Sequence, residues 1–150
     1  MELFILRHGD AENGFPDSQR QLSDYGRQQV TRIAKQHAHS LANLEAVITS
    51  PLSRASQTAD IVMSKVPINC ARQISNSLLP NAQITHIENF LETQAVNNLL
   101  LIGHLPLLNN LINYLVGDNI AKMATASLAS LSMSHAYRGL ATLNWIHHAD

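Results

Sequence analysis

The sequence predicts a three-layer α/β/α domain built on a mostly parallel central sheet and closed by an antiparallel pair of strands near its C-terminal end. Three observations carry this expectation. Short apolar runs at residues 3–6, 46–48 and 99–102 suit strands covered on both faces rather than alternating half-exposed ones. Between them lie segments whose apolar residues recur at helical spacing, and that alternation of strand and helix continues through Leu115. With 150 residues, 45% of them hydrophobic, the chain can bury one sizeable core, so residues 1–150 are expected to form a single domain.

The first run ends abruptly at Arg7-His8-Gly9-Asp10. The turn signals Asn13-Gly14 and Pro16-Asp17 then mark residues 12–20 as a loop beside that strand end, with Arg20 in it. Ser23 suits an N-cap for a helix whose stripe is Val30, Ile33, Ala34, His37 and Leu41, leaving Arg27, Arg32 and Lys35 to solvent. Residues 44–49 return to strand character and stop at Ser50-Pro51. Ser53 can cap the next helix, which runs to about Lys65 with Ala55, Ala59 and Val62 inward and Arg54 in its first turn.

Pro67 breaks that pattern, and residues 68–74 form a third strand candidate, followed by a loop over residues 78–81. Ile84, Ile87, Phe90 and Leu91 make a helical stripe. Residues 98–102 form a leucine-rich strand ending at Gly103-His104, after which Pro106 opens a helix that Gly117 stops. Residues 127–133 and 140–146 read as the closing antiparallel pair, with the turn at 136–139.

Ten Lys and Arg against eleven Asp and Glu leave a formal charge of -1, too little field to hold nucleic acid or an anionic membrane. Any anion site must be local. The single cysteine, Cys70, forms no intrachain disulfide, and there is no signal-peptide pattern or membrane-length apolar run, so a cytoplasmic location is expected. A monomer is the accompanying expectation.

In a doubly wound sheet the carboxyl ends of parallel strands share one edge, which would bring Arg7, His8, Arg54 and His104 together from distant parts of the sequence. Arginine forks onto phosphate oxygens, imidazole can act as a nucleophile, and Gly9 lets the backbone approach a ligand closely. An arginine in a helix's first turn opposes the helix dipole unless an anion is bound there. Two arginines and two imidazoles around one point call for a phosphoryl group.

The segments Arg7-His8-Gly9, Ser50-Pro51-Leu52-Ser53-Arg54-Ala55 with Gln57-Thr58, and Gly103-His104 resemble, in this order, the motifs of the histidine phosphatase superfamily with its phosphoglycerate mutase-like fold. Arg7-His8-Gly9-Asp10-Ala11, His104-Leu105-Pro106-Leu107 and the short length are most similar to the SixA-type phosphohistidine phosphatases. The resemblance implies that His8 becomes phosphohistidine while Arg7, Arg54 and His104 bind the transferring group. It implies no cofactor and no metal. Arg20, and the following Leu22-Ser23-Asp24-Tyr25-Gly26, resemble the family segment that lines the pocket, which makes Arg20 and Gly9 candidates for substrate binding.

A basic alkoxide leaving group calls for a carboxylic acid to protonate it. The mutase branch places a glutamate after the third strand, and the acid phosphatase branch an aspartate directly after the second histidine. This chain has no Asp or Glu between Asp60 and Glu88, and Leu105 follows His104. A phosphohistidine can leave as neutral imidazole once its other nitrogen is protonated, so the departure favours an N–P substrate carried by another protein. By resemblance that partner is the histidine phosphotransfer domain of a sensor kinase. If Asp10, Glu12, Glu88 or Glu92 folds into the site, a small phosphomonoesterase is expected instead. A non-catalytic phosphoprotein-binding module is the further alternative, one that has no need of His8. A metal centre is not expected: His37 and His39 point to different sides of a helix, and His147 and His148 sit at a terminus expected to fray.

Overall fold

The computed structural model describes residues 1–150. Its core is one six-stranded sheet in the order β3-β2-β4-β1-β5-β6. β1 (Glu2–Arg7) pairs in parallel with β4 (Asn98–Gly103), and β4 pairs in parallel with β2 (Ala46–Thr49). β3 (Arg72–Ile74) extends the parallel set at one edge, while β5 (Leu128–Ser132) runs antiparallel to β1 and β6 (Thr142–His147) antiparallel to β5. The predicted mixed sheet and its antiparallel closing pair are therefore present.

The apolar runs of β1 and β4 serve two cores at once. Leu3, Ile5, Leu99 and Leu101 face one side, where α4 (Ile84–Glu92) and α5 (Leu107–Val116) bury Ile87, Leu91, Leu108 and Leu111. Phe4, Leu6, Leu100 and Ile102 face the other, against α1 (Asp24–Gln36) and α3 (Ser53–Lys65) through Val30, Ile33, Ala55, Ala59 and Val62. Period-two geometry requires this division, and each fully buried Leu or Ile contributes about 1.5–3 kcal/mol of transfer free energy. No helix is long and apolar enough to cross a membrane.

Several local expectations are corrected. The helix begun by Ser23, whose hydroxyl does accept from the Gly26 N–H, does not run unbroken to Leu41. It ends at His37, and a separate turn, α2 (Ala38–Leu41), follows. Ser53 is not a cap: it lies inside α3, and Leu52 occupies the N-cap without a side-chain bond. The third strand spans only Arg72–Ile74 and is exposed at the sheet edge, so residues 68–71 lie outside it. A short 3-10 turn, Asn76–Leu78, enters the segment read as loop. The C-terminal end is tied down rather than frayed: His147 stacks on Trp145 with ring centroids 4.4 Å apart, and His148 Nδ1 lies 2.5 Å from Ser127 Oγ.

Candidate active site

β2, β4 and β1 are immediate neighbours, and their ends are level, because Arg7 pairs with Gly103 and Thr49 with Ile102. The residues that follow these ends are thereby gathered into one place. Arg7 and His8 come from β1, Ser50 and the first turn of α3 with Arg54 from β2, and His104 from β4. The His8 and His104 rings are 5.0 Å apart between centroids. His8, Arg54 and His104 are all buried, at 8%, 5% and 1% exposure.

Each imidazole is held in one tautomer. His8 Nδ1 donates to the Gly9 carbonyl at 2.6 Å, which leaves Nε2 with a free lone pair. Burial, with the charges of Arg54, Arg7 and Arg20, pushes the His8 pKa down to about 4 against the opposing pull of the Gly9 carbonyl. His8 is neutral at pH 7. His104 Nε2 lies 2.5 Å from Ser50 Oγ, which itself accepts from the Leu52 N–H. The serine therefore donates its own proton to Nε2, and His104 carries its hydrogen on Nδ1. Burial, the neighbouring His8 and the arginines lower the His104 pKa to about 3.

Four buried side-chain polar atoms of the molecule lack a partner, and three of them belong here: Arg7 Nε, Arg54 Nε and His104 Nδ1. Buried donors are nearly always satisfied, so three orphaned N–H groups beside a neutral imidazole constitute a cradle for oxyanion oxygens. Arg7 is anchored by Nη1 to the Met123 carbonyl at 3.0 Å, which fixes the guanidinium at the strand end.

Gly9 has a different job from the one its lack of a Cβ suggested. A Cβ there would meet the Gly26 carbonyl oxygen at 2.7 Å and Val30 Cγ2 at 2.8 Å, and the Gly9 N–H is already given to Thr58 Oγ1. The missing methyl admits α1, not a ligand. Arg20 is bonded to the Glu12 carbonyl at 2.9 Å and to Asp17 at 3.1 Å, and its charge still reaches His8.

None of the four carboxylates weighed as acids stands over the cradle. Asp10 accepts from Ser23 Oγ and Glu88 from the Tyr114 hydroxyl, Glu92 lies near Tyr137 and raises its pKa, and Glu12 engages Arg20 only through its backbone. The carboxylate that does reach the site is Asp17, which by its neighbours in sequence is a turn residue. It opens the 3-10 turn Asp17–Gln19, its Oδ2 accepts from Arg54 Nη2 at 3.2 Å, and its backbone carbonyl accepts from Arg54 Nη1 at 2.9 Å. Its place three residues before Arg20, in a loop already assigned to the pocket rim, was the available signal. Ser50 was likewise visible only as part of a motif.

No three His, Cys, Asp or Glu side chains converge anywhere as a metal site would require. His37 Nε2 and His147 Nδ1 approach to 3.1 Å without a third donor, and Cys70 has its thiol pKa raised by burial. The surface cavities, of about 380, 420 and 480 Å³, are lined by Met1 and Tyr137, by Arg27 and Lys35, and by Tyr114 and Arg138. The cradle lies in none of them.

The sequence profile of the histidine phosphatase superfamily (branch 1) matches residues 3–75, which include β1, the loop, α1, β2 and α3. Phosphohistidine phosphatase SixA of Escherichia coli is 29% identical over 150 residues, covering 97% of this chain and 92% of its own. A solved structure of the protein histidine phosphatase SixA with tungstate superposes with a TM-score of 0.91 at 28% identity, over 99% of this chain and 97% of that one. A phosphoserine phosphatase from Entamoeba histolytica shares the fold, with a TM-score of 0.70 at 14% identity over 97% and 96% of the two chains. The order of the strand-end motifs, the gathered histidines and arginines and these similarities agree with the family model, which assigns residues 3–75 of this chain to the histidine phosphatase superfamily.

Proposed function

We propose that this protein is a metal-independent phosphatase that removes the phosphoryl group from phosphohistidine on another protein, a histidine phosphotransfer domain of a sensor kinase, through a covalent intermediate on His8. The observation that carries this reading is the pairing of an unprotonated His8 Nε2 with three unsatisfied donors around it. A module that only bound phosphoproteins would need the cations but not a neutral imidazole with its lone pair free.

In the first step His8 Nε2 attacks phosphorus, and the P–N bond to the substrate ring breaks. Arg7, Arg54 and His104 Nδ1 hold the equatorial oxygens, where the charge is spread, and being fixed in advance they need no reorganisation. The substrate's imidazole leaves neutral if its other nitrogen carries a proton. In the second step water attacks the phosphoryl group on His8, the new P–N bond breaks, and dihydrogen phosphate departs. His8 keeps its Nδ1 proton on the Gly9 carbonyl throughout and is regenerated neutral.

The reading is also supported by similarity to proteins named as phosphohistidine phosphatases. The test is incubation with a phosphotransfer domain phosphorylated on histidine, in the presence of chelator. Phosphate should be released, and acid-labile label should be trapped on the enzyme. His8→Ala should abolish both. A phosphate ester hydrolysed far faster than phosphohistidine would overturn the substrate assignment, and loss of activity with chelator would overturn metal independence.

A further inference from the structure

We infer that Asp17 is the residue that selects phosphohistidine over phosphate esters, by accepting a hydrogen bond from the protonated ring nitrogen of the leaving imidazole; this rests on the proposed function above. Phosphoryl transfer proceeds with attacking and leaving atoms roughly in line. His8 lies on the buried floor of the site, so the leaving group must depart on the opposite side, toward solvent. Asp17 lies between the buried Arg54 and solvent: its side chain is 65% exposed, yet its carboxylate is pinned to Arg54 and to Arg20. Its charge also reaches His104, whose pKa it raises against the larger effect of burial.

The pinning decides what Asp17 can do. Bonding to Arg20 first, with Arg54 adding to it, holds its carboxyl below the usual carboxylate range. An ionised carboxylate cannot protonate an alkoxide. It can accept an N–H. A phosphohistidine ring whose second nitrogen has lost its proton would have to leave as an imidazolate anion, a far poorer leaving group. That nitrogen titrates near neutrality, and a neighbouring carboxylate raises its pKa and keeps the reactive form populated at higher pH. The step balances without added acid: the P–N electron pair returns to the departing nitrogen, and the N–H hydrogen stays on the ring.

The same carboxylate acts against dianionic esters, because an ester brings two negative charges to it with no compensating cation, whereas a phosphohistidine ring that carries its proton offsets one of them. Selectivity thus comes from attraction and repulsion together.

The experiment compares Asp17→Asn and Asp17→Glu with the wild type, on a phosphotransfer domain phosphorylated on histidine and on p-nitrophenyl phosphate, whose phenolate needs no acid. We expect Asp17→Asn to lower kcat/KM on the phosphoprotein at least tenfold at pH 8 and much less at pH 6, where solvent supplies the proton. Asp17→Glu should restore the alkaline limb, and Asp17→Asn should lower the KM for p-nitrophenyl phosphate. A loss on the phosphoprotein that is equal at both pH values, or a parallel fall on both substrates, would mean that Asp17 only props Arg54, and the assignment fails. A wild type that hydrolyses p-nitrophenyl phosphate but leaves the phosphoprotein intact overturns the proposed function and this inference with it.

Discussion

Ser50 Oγ lies 2.5 Å from His104 Nε2, and this contact decides which nitrogen of the second histidine faces the cradle. With the serine proton on Nε2, the N–H at Nδ1 is available to a phosphoryl oxygen. Ser50→Ala removes that constraint and leaves a buried nitrogen unpaired. We expect kcat to fall about tenfold, equivalent to about 1.4 kcal/mol, and stability to fall by about 1–3 kcal/mol, the cost of the unpaired buried nitrogen. Nitrogen-15 chemical shifts of the His104 ring should change from one tautomer to a mixture.

The two site histidines make the ligand-free enzyme acid-sensitive. Both have folded pKa values below the unfolded value of about 6.5: about 4 for His8 and about 3 for His104. Below 6.5 the unfolded chain binds protons that the folded one refuses. Their contribution is therefore complete above pH 6.5 and is lost as pH falls toward 4 and then 3, each group removing up to about 1.4 kcal/mol per pH unit. His37, whose pKa is lowered by burial and by His147, acts in the same direction. Urea midpoints between pH 7.5 and 5 should decline, and His8→Gln should flatten the decline. In kinetics, the acid limb of activity should follow protonation of His8.

Backbone contact between the strand tip and α1 leaves no room for a methyl group. A Cβ on Gly26 would lie 2.0 Å from the Asp10 carbonyl oxygen, and one on Gly9 would lie 2.7 Å from the Gly26 oxygen. Neither neighbour is a flexible side chain. Gly26→Ala should destabilise the fold by about 3 kcal/mol or more, with Gly9→Ala somewhat milder, as read from denaturant unfolding. Both should also lower activity, because Gly9 carries the carbonyl that orients His8.

Phe15 is 97% exposed and lies two residues before Asp17. If the substrate is a phosphoprotein, as proposed, a large aromatic group beside the site can rest on the partner's surface. Phe15→Ser should raise KM for a phosphorylated phosphotransfer domain by about fivefold, while KM for p-nitrophenyl phosphate stays the same. Steady-state kinetics on the two substrates would check this.

What the sequence made legible was whatever depends on backbone pattern. The apolar runs of β1, β2 and β4 required strands buried on both faces, and strands of one parallel sheet must end along a common edge. His8, Arg54 and His104 could therefore be grouped without coordinates. Three features were not legible for a shared reason: they depend on contacts between residues that the chain order keeps apart. Asp17 reads as a turn residue until Arg54, far along the chain, is seen to grip it. Ser50 reads as a strand terminus until His104 is beside it. Gly9 reads as a ligand-facing glycine until α1 is found in the space its side chain would fill. At His37, where α1 ends, the ring stacks on Trp145 of β6, 4.5 Å away between centroids, a contact between distant residues that the helical stripe does not announce.

The level ends of β2, β4 and β1 anchor the reacting groups to the stiffest part of the molecule, while Phe15, Asp17 and Arg20 hang from a single surface loop. On the proposed function, bond-making and client choice would thus lie on different elements, joined where Asp17 holds Arg54. Transplanting that loop between relatives with Asp17 and Arg20 kept in place should redirect which phosphoprotein is drained and leave the lifetime of the phosphorylated enzyme as it was.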